Sequence, residues 1–282
     1  EDKKTAYLTE KQNQTDGGPL LVDLDLRYPI EIKERQHTQD QVNDIIDLYL
    51  EVMKEVFNFD DDDEEVQFTI FVFEKDSVNA LEEVTKDGIH IVFGISMIHN
   101  LQMIIREQVM KKENNEANIF KNLGCINKTE DIFDECISNG RNNWQMWGST
   151  KPNCEPYKLK YVYTASIDNE TYDKETVSID SLDIKGLLPV VSAQNTKFIK
   201  LTRVSESYQK QLEEMMESGD KKKKRKSKKK SQQYNGSLLS ISTATTFKLP
   251  TNMKELDKII NNNMAYFDIK DYYIKEVHNI TL

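Results

Sequence analysis

Two aspartates, Asp23 and Asp25, stand two residues apart in a run of leucine and valine that covers residues 20–26. The alternation of apolar and acidic residues predicts a β-strand with both carboxylates on one face, roughly 6–7 Å apart along the strand. Oxygen donors at this spacing suit one or two hard cations, Mg²⁺ or Mn²⁺. The pattern also occurs on exposed strand faces, but carboxylates that end an apolar strand are poorly solvated, which favours a cation as partner.

A second group of residues with binding chemistry lies in the segment Lys86-Asp87-Gly88-Ile89-His90. In an extended conformation Lys86, Gly88 and His90 point to the same side. An ammonium group, a glycine amide and an imidazole together could bind a phosphate. A single histidine in an apolar strand is more often structural, so both interpretations of His90 stay open at this point.

A third acidic position, Asp134, precedes a loop at residues 141–152 that is rich in hydrogen-bond donors. The loop contains Arg141, Ser149 and Lys151, whose side chains suit a triphosphate. Neither feature is specific by itself, because acidic and basic residues are common on protein surfaces.

The elements that must position these residues are predicted from hydrophobic periodicity and turn residues. We predict strands at 20–26, 66–73, 89–93 and 157–164, and helices at 39–57, 97–112, within 128–139 and at 206–219. The helix at 39–57 should begin with a capping box, because Thr38 is followed three residues later by Gln41. A turn at 85–88 and a loop at 144–153 should separate further elements. Strands and helices that alternate irregularly indicate an α/β or α+β domain.

The chain of 282 residues has a net charge of −10, with 38% hydrophobic and 30% charged residues. This acidic balance argues against a protein that coats nucleic acid through charge alone, although it allows a local basic groove. We expect a main domain at residues 1–205, a mobile charged linker or insertion at 206–233, and a C-terminal segment at 234–282 that could pack on the main domain. The linker contains a basic run, Lys221–Lys230, which would repel itself and stay unpacked.

The three cysteines form no C-x-x-C motif and are odd in number. This indicates a reducing, intracellular compartment and no disulfide framework. With His99 the cysteines could supply four zinc ligands, but their spacing is unlike that of zinc motifs and free thiols are favoured. The cysteines are Cys125, Cys136 and Cys154. The sequence contains no apolar run long enough to predict a membrane span, and its polar N-terminal residues predict no signal peptide. Trp144 and Trp147 are expected to be core or loop anchors.

Taken together, these motifs resemble those of the archaeo-eukaryotic primase superfamily, in the same order along the chain. The resemblance is strongest to the primase halves of primase-helicases from large nucleocytoplasmic DNA viruses of the African swine fever virus kind, and it covers residues 18–205. The three motifs and the loop that follows correspond to Val22-Asp23-Leu24-Asp25-Leu26-Arg27-Tyr28, Lys86-Asp87-Gly88-Ile89-His90, Phe133-Asp134 and the stretch from Asn143 to Pro152. The second motif often has serine where this chain has Gly88, so a backbone amide would replace a hydroxyl contact to the nucleotide.

The resemblance implies an α/β module packed on a module similar to an RNA-recognition motif, with the active site in the cleft between them. It implies a DNA-dependent primase that makes primers from nucleoside triphosphates on single-stranded DNA, by two-metal nucleotidyl transfer during viral DNA replication. Magnesium or manganese ions would be held by Asp23, Asp25 and Asp134. The triphosphate would be bound by Lys86, His90, Ser149 and Lys151, with Arg27 and Arg141 as further candidates.

The expected partners are a single-stranded DNA template, nucleoside triphosphates and a helicase domain or a helicase partner. This sequence has no G-x-x-x-x-G-K-[ST] loop, so the helicase function would reside outside it. The resemblance also implies a role in the host cell cytoplasm, and no membrane partner is expected.

Two other interpretations of the sequence stay open. Another D-x-D enzyme, such as a metal-dependent sugar-nucleotide transferase, would also use Asp23 and Asp25, whereas Arg27 disfavours a haloacid-dehalogenase-type phosphatase. A non-catalytic nucleic-acid-binding module would use the basic run Lys221–Lys230 as its binding arm. If Asp23 and Asp25 bind a metal ion, in a primase or in another D-x-D enzyme, they repel each other in the metal-free protein. Removing one of them should then leave the metal-free domain as stable as before.

Overall fold

Antiparallel strands dominate the computed structural model, which describes residues 7–59, 65–152 and 154–218. The strands are Thr9–Glu10 (β1), Gly18–Pro29 (β2), Val66–Glu74 (β3), Asn79–Ala80 (β4), Val84–Met97 (β5), Trp144–Gln145 (β6), Lys158–Ile167 (β7), Tyr172–Thr176 (β8) and Ile199–Lys200 (β9). The helices are Gln39–Val56 (α1), His99–Lys112 (α2), Ile119–Asn122 (α3), Thr129–Ile132 (α4), Glu135–Ser138 (α5), Ile184–Val190 (α6) and residues 206–218 (α7).

The larger sheet has the strand order β2-β5-β3-β7-β8, and every neighbouring pair on this path is antiparallel. The short strands β4 and β9 also pair with β5, and β9 is parallel to it. Strands β1 and β6 form a separate two-stranded ribbon. Antiparallel sheets combined with helices confirm the predicted mixed α/β class.

The two faces of the larger sheet carry different apolar layers. On one face, α1 and α2 bury the larger cluster, and α1 begins with the predicted reciprocal capping box of Thr38 and Gln41. On the other face lies a smaller cluster that includes Leu21, Phe73 and Trp144. Since side chains alternate along a strand, β2 contributes to both layers.

The segment around Gly88 differs from the predicted turn at 85–88. Val84–Met97 is one continuous strand, and its residues 84–93 pair with β2 without a register shift. Glycine inside a strand often marks a place where another group approaches the backbone closely, and here that group is Tyr157. The turn predicted at 85–88 is therefore wrong, because Gly88 lies inside a strand.

The predicted helix within 128–139 is divided into the two short helices α4 and α5. Phe133 leaves the helical conformation between them and forms an antiparallel bridge with Leu24 of β2. Pairing with the edge of the sheet thus interrupts the local helical preference.

The remaining predicted elements agree with the structure within a few residues, including α1, α2, β2, β3, β7 and α7. The basic run Lys221–Lys230 and the segment 234–282 lie outside the described residues, so the linker and the domain boundaries stay predictions. The described residues fall into one compact unit, and the predicted module similar to an RNA-recognition motif also stays a prediction. Among the described helices, none combines the length and the apolar character that crossing a membrane requires.

Candidate active site

The two aspartates of the first motif lie on one face of β2, as predicted. Asp23 is paired with His90 and Asp25 with Gly88 in the register of β2 and β5, and paired residues share a face. The side chains of Asp23 and Asp25 are 19% and 44% exposed, while Leu24 between them is fully buried on the opposite face. Strand β5 therefore brings the second motif directly beside the first.

Asp134 reaches the same place along the outer edge of β2. Phe133 bridges Leu24, and the backbone N–H of Asp134 donates to the carbonyl oxygen of Asp23 at 3.0 Å. This register sets Asp134 opposite Asp23, and residues opposite one another in an antiparallel pair have Cβ atoms about 4.5–5.5 Å apart. Asp134 also begins α5, where its carboxylate accepts a hydrogen bond from the N–H of Cys136 at 2.7 Å.

Asp23 keeps its negative charge although it is largely buried. Burial by itself raises the pKa of this carboxyl group, but its interactions with His90, which include a side-chain hydrogen bond, and the charges of Lys151 and Lys75 outweigh burial and hold the pKa below its usual value. His90 Nε2 lies 3.5 Å from Asp23 Oδ1. The surroundings of Asp23 are thus already arranged to compensate an anion.

His90 is enclosed by aromatic side chains. Its ring centroid lies 3.6 Å from that of Tyr157, with the planes 19° apart, and 4.4 Å from that of Trp144. The His90 side chain is only 7% exposed, and its Nε2 faces Asp23. Trp144 is buried, as expected of a core anchor, whereas no local pattern in the sequence singles out Tyr157. His90 therefore supports Asp23 in this structure, and its contact with a triphosphate stays a prediction.

Two lysines predicted to bind a triphosphate lie close to the aspartates. Lys86 Nζ is 3.5 Å from Asp25 Oδ2, and the Lys86 side chain is 32% exposed. Lys151 is exposed, and its charge acts on Asp23. Both ammonium groups can therefore be reached by a charged ligand from solvent.

The two arginine candidates have other neighbours in the structure. Arg141 is exposed and forms an ion pair of 2.7 Å with Glu135, the residue after Asp134. Arg27 is half-buried on the face of Asp25, and its Nε has no hydrogen-bond partner within the described part of the chain. Arg141 is therefore near the third motif, and Arg27 is less accessible.

Ser149 has a structural role in the loop that was predicted to bind a triphosphate. Its side chain is buried, and its Oγ lies 2.7 Å from the carbonyl oxygen of Leu8 and 2.6 Å from that of Met146. A hydroxyl has one proton, so it donates to one of these carbonyls at a time. The predicted contact between Ser149 and a nucleotide would require the loop to rearrange.

The backbone amide of Gly88 is occupied as well, because it donates to the carboxylate of Asp87 at 2.9 Å. Asp87 belongs to a buried network that sequence reasoning missed. Arg35 donates to Asp87 at 2.9 and 3.0 Å and to Glu74 at 2.7 Å, and His37 Nε2 lies 2.9 Å from Glu74. These partners are far apart in sequence, so no local sequence pattern predicts the network.

The residues of the site fit a divalent metal ion by donor type. Carboxylate oxygens of Asp23, Asp25 and Asp134 are the hard ligands that Mg²⁺ and Mn²⁺ prefer. The hydrogen bond from Cys136 uses one oxygen of Asp134, which leaves the other for a cation. Within 7–59, 65–152 and 154–218, no three His, Cys, Asp or Glu side chains are already gathered into a metal-binding group. A bound cation would have to draw the three carboxylates together.

The three cysteines are free thiols and partly buried. None of them is gathered with His99 into a metal-binding group within the described residues. Both ring nitrogens of His99 face main-chain carbonyl oxygens, at 2.9 and 3.2 Å.

Comparison with known proteins agrees with the three motifs. The family model described as "C962R protein N-terminal AEP domain", where AEP denotes archaeo-eukaryotic primase, matches residues 1–163, more than half of the chain. A protein of Acanthamoeba polyphaga mimivirus named "Putative helicase L207/L206" is 30% identical over 158 residues. That match covers 55% of this chain and only 16% of the mimivirus protein. The matched range of the family model includes all three acidic positions and the lysines beside them, and the chain belongs to this viral family of archaeo-eukaryotic primase domains.

Proposed function

We propose that this chain is the catalytic domain of a DNA-dependent primase, which joins nucleoside triphosphates into a primer on single-stranded DNA. The observation that carries the proposal is the strand register that sets Asp134 opposite Asp23 and on the same edge of the sheet as Asp25, with Lys86 and Lys151 nearby. Three carboxylates from two separate parts of the chain, with accessible lysines beside them, suit a reaction between charged phosphates. Membership of the primase domain family supports the same reaction.

The carboxylates and the basic residues would act on different parts of the nucleotide. Two Mg²⁺ or Mn²⁺ ions held by Asp23, Asp25 and Asp134 would neutralise charge at the 3′-hydroxyl and at the leaving pyrophosphate. Lys86 and Lys151 would bind the triphosphate through charge-assisted hydrogen bonds, because their ammonium groups are accessible.

The other candidates would have smaller parts in nucleotide binding. His90 would keep Asp23 in place and reach the nucleotide through its small exposed edge. Arg141 would approach from the side of Asp134, since it pairs with the next residue, Glu135.

We also propose that the domain acts together with a helicase during viral DNA replication in the host cytoplasm. The mimivirus relative is named as a helicase, and the region similar to this chain makes up 16% of it. A primase domain joined to a helicase would receive its single-stranded template as the helicase opens the duplex.

Nucleotide incorporation by the full chain on a single-stranded DNA template tests the proposed activity. Ribonucleotides and deoxynucleotides would be supplied separately, each with Mg²⁺, Mn²⁺ or a chelator. We expect template-dependent products with at least one metal and none with the chelator. DNA binding without incorporation under every condition would favour the non-catalytic binding module, and incorporation without a template would favour a different nucleotidyltransferase.

A further inference from the structure

Four side chains form a stack beside Asp23. Tyr157 covers one face of the His90 imidazole, with ring centroids 3.6 Å apart. The Trp144 ring also packs against this imidazole, with centroids 4.4 Å apart and the planes tilted by 35°. Lys75 Nζ lies 5.1 Å from the centroid of the Tyr157 ring, a cation–π distance.

Position 88 is closely packed against the same tyrosine. A Cβ atom on Gly88 would overlap Tyr157 Oη, whereas the ring carbon Cζ and the carbonyl oxygen of Leu24 would lie at an ordinary contact distance of 3.5 Å. Gly88 is not among the residues of the described chain that have a positive φ, so alanine could adopt its backbone conformation without strain. The atom that a Cβ at position 88 would overlap is therefore the hydroxyl oxygen of Tyr157.

We propose that Tyr157 is a positioning residue of this site, which holds the His90 imidazole with its Nε2 toward Asp23 and restricts position 88 to glycine. Because His90 lies on β5 and Asp23 on β2, the stack keeps the first two motifs in a fixed arrangement. The part of this inference that concerns nucleotide binding rests on the proposed function. The serine common at position 88 in the related motif would not fit beneath the Tyr157 hydroxyl, so positions 88 and 157 depend on each other.

The ring and the hydroxyl of Tyr157 have separable effects. The ring contacts His90, whereas the hydroxyl lies over Gly88. Burial, and then the negative charges of Asp23 and Asp25, raise the pKa of Tyr157 well above its usual value, so the hydroxyl stays protonated at neutral pH. Because the ring makes the contact with His90, phenylalanine at position 157 should still hold the imidazole, whereas leucine should not.

NMR of the imidazole protons of His90 in the full chain tests the stack directly. An aromatic ring stacked at 3.6 Å shields these protons, so the part of their upfield shift due to Tyr157 should persist in Tyr157→Phe and be lost in Tyr157→Leu, while Trp144 continues to shield them. Tyr161→Leu is the matched control, because Tyr161 packs against the larger cluster on the other face of the sheet. Unchanged His90 signals in a folded Tyr157→Leu protein would overturn the proposal.

A second set of variants connects the stack with nucleotide binding. Gly88→Ala should displace Tyr157 and weaken the binding of ATP or dATP in Mg²⁺ by about tenfold or more, as for other residues that orient a ligand group. Adding Tyr157→Phe removes the clashing oxygen, so the double variant should recover most of the affinity and the His90 shift. A general weakening of β5 would not be rescued in this way. Unimpaired binding in Gly88→Ala, or no recovery in the double variant, contradicts the proposal.

The two proposals can fail separately. If the wild-type chain neither binds nucleotide nor makes primers, the proposed function is wrong, while the His90 shift still decides whether Tyr157 positions the imidazole.

Discussion

Asp23 is only 19% exposed, yet interactions with His90, Lys151 and Lys75 lower the pKa of its carboxyl group, so the carboxylate stays charged. The same attraction bears on stability. Two neighbouring aspartates by themselves would repel, so the sequence predicts no loss of stability when one is removed. The lowered pKa of Asp23 points to the opposite result, because the interactions of its carboxylate with His90, Lys151 and Lys75 outweigh the cost of its burial.

Replacing Asp23 with asparagine should therefore lower the free energy of unfolding at neutral pH. A group whose folded pKa lies below its unfolded value stabilises the fold above the unfolded pKa, and this contribution disappears as the pH falls through the folded pKa. We expect the difference between wild type and Asp23→Asn to shrink below about pH 4, near the ordinary pKa of aspartate. Urea unfolding of both proteins over a pH series measures it, with the exposed Asp44→Asn on α1 as control. A variant as stable as wild type at neutral pH would show that the attraction contributes nothing.

The elements that carry the motifs differ in how far the sequence predicts them. Periodicity predicts β2 and α1 because their signals are local: the alternation around Asp23 and the capping box at Thr38. Gly88 gives a local turn signal, but the structure continues β5 through it, because the segment pairs with β2 residue by residue. Tyr157 from a distant segment then packs over the glycine.

The partners of the acidic residues depend still more on tertiary contacts. Asp134 reaches Asp23 only because Phe133 pairs with the edge of β2, and no residue pattern near position 134 specifies that pairing. The sequence therefore predicts the acidic face of β2 and the strand that carries the second motif. It does not predict the aromatic stack around His90 or the hydrogen bonds of Ser149.

The network around Arg35 connects the segment before α1 with the ends of β3 and β5. Arg35 donates to Asp87 and Glu74, and His37 contacts Glu74 from the same segment. Asp87 stands between Lys86 and Gly88 of the second motif, on the opposite face of β5. The network thus stabilises β5, which carries the second motif, from the face opposite Lys86 and Gly88.

Arg35→Ala should lower the free energy of unfolding by about 3–5 kcal/mol, since it leaves two buried carboxylates without their cation. Arg35→Lys should recover only part of the loss, because lysine cannot form the two parallel hydrogen bonds to Asp87. Chemical denaturation measures both. Arg141→Ala, which breaks an exposed ion pair, should cost less than about 1 kcal/mol and serves as control. Equal losses for Arg35→Ala and Arg141→Ala would show that the network is dispensable.

Across the whole molecule, the N-terminal ribbon is joined to the segment before β9 through Glu10. Its buried carboxylate accepts hydrogen bonds from Ser192 Oγ at 2.6 Å and from the N–H of Ala193 at 2.9 Å. Burial raises the pKa of Glu10, and these two hydrogen bonds offset only part of the rise. The contact between the two segments therefore responds to pH.

A group whose folded pKa is raised contributes stability that is fully present below the unfolded pKa and is lost as the pH rises through the folded pKa. Glu10→Gln can keep both hydrogen bonds, since its oxygen can accept from Ala193 and its amide can donate to Ser192 Oγ. We expect the variant to gain stability relative to wild type as the pH rises from about 4 to neutral. Thermal unfolding of both proteins over this range measures the effect. A wild-type advantage that grows with pH would mean that Glu10 is stabilised in its ionised form.

The rate of primer synthesis by Asp25→Asn tests most directly whether the acidic face of β2 carries out nucleotide addition. Asp25 is 44% exposed, so its replacement should disturb the fold little. On one single-stranded DNA template in Mg²⁺ or Mn²⁺, we expect the rate to fall by about a hundredfold or more, the usual scale for losing a group that stabilises charge in the reaction. Asp44→Asn, which changes the same charge on α1 across the sheet, should keep the wild-type rate. A folded Asp25→Asn protein that makes primers at the wild-type rate would contradict the assignment of this face as the active site.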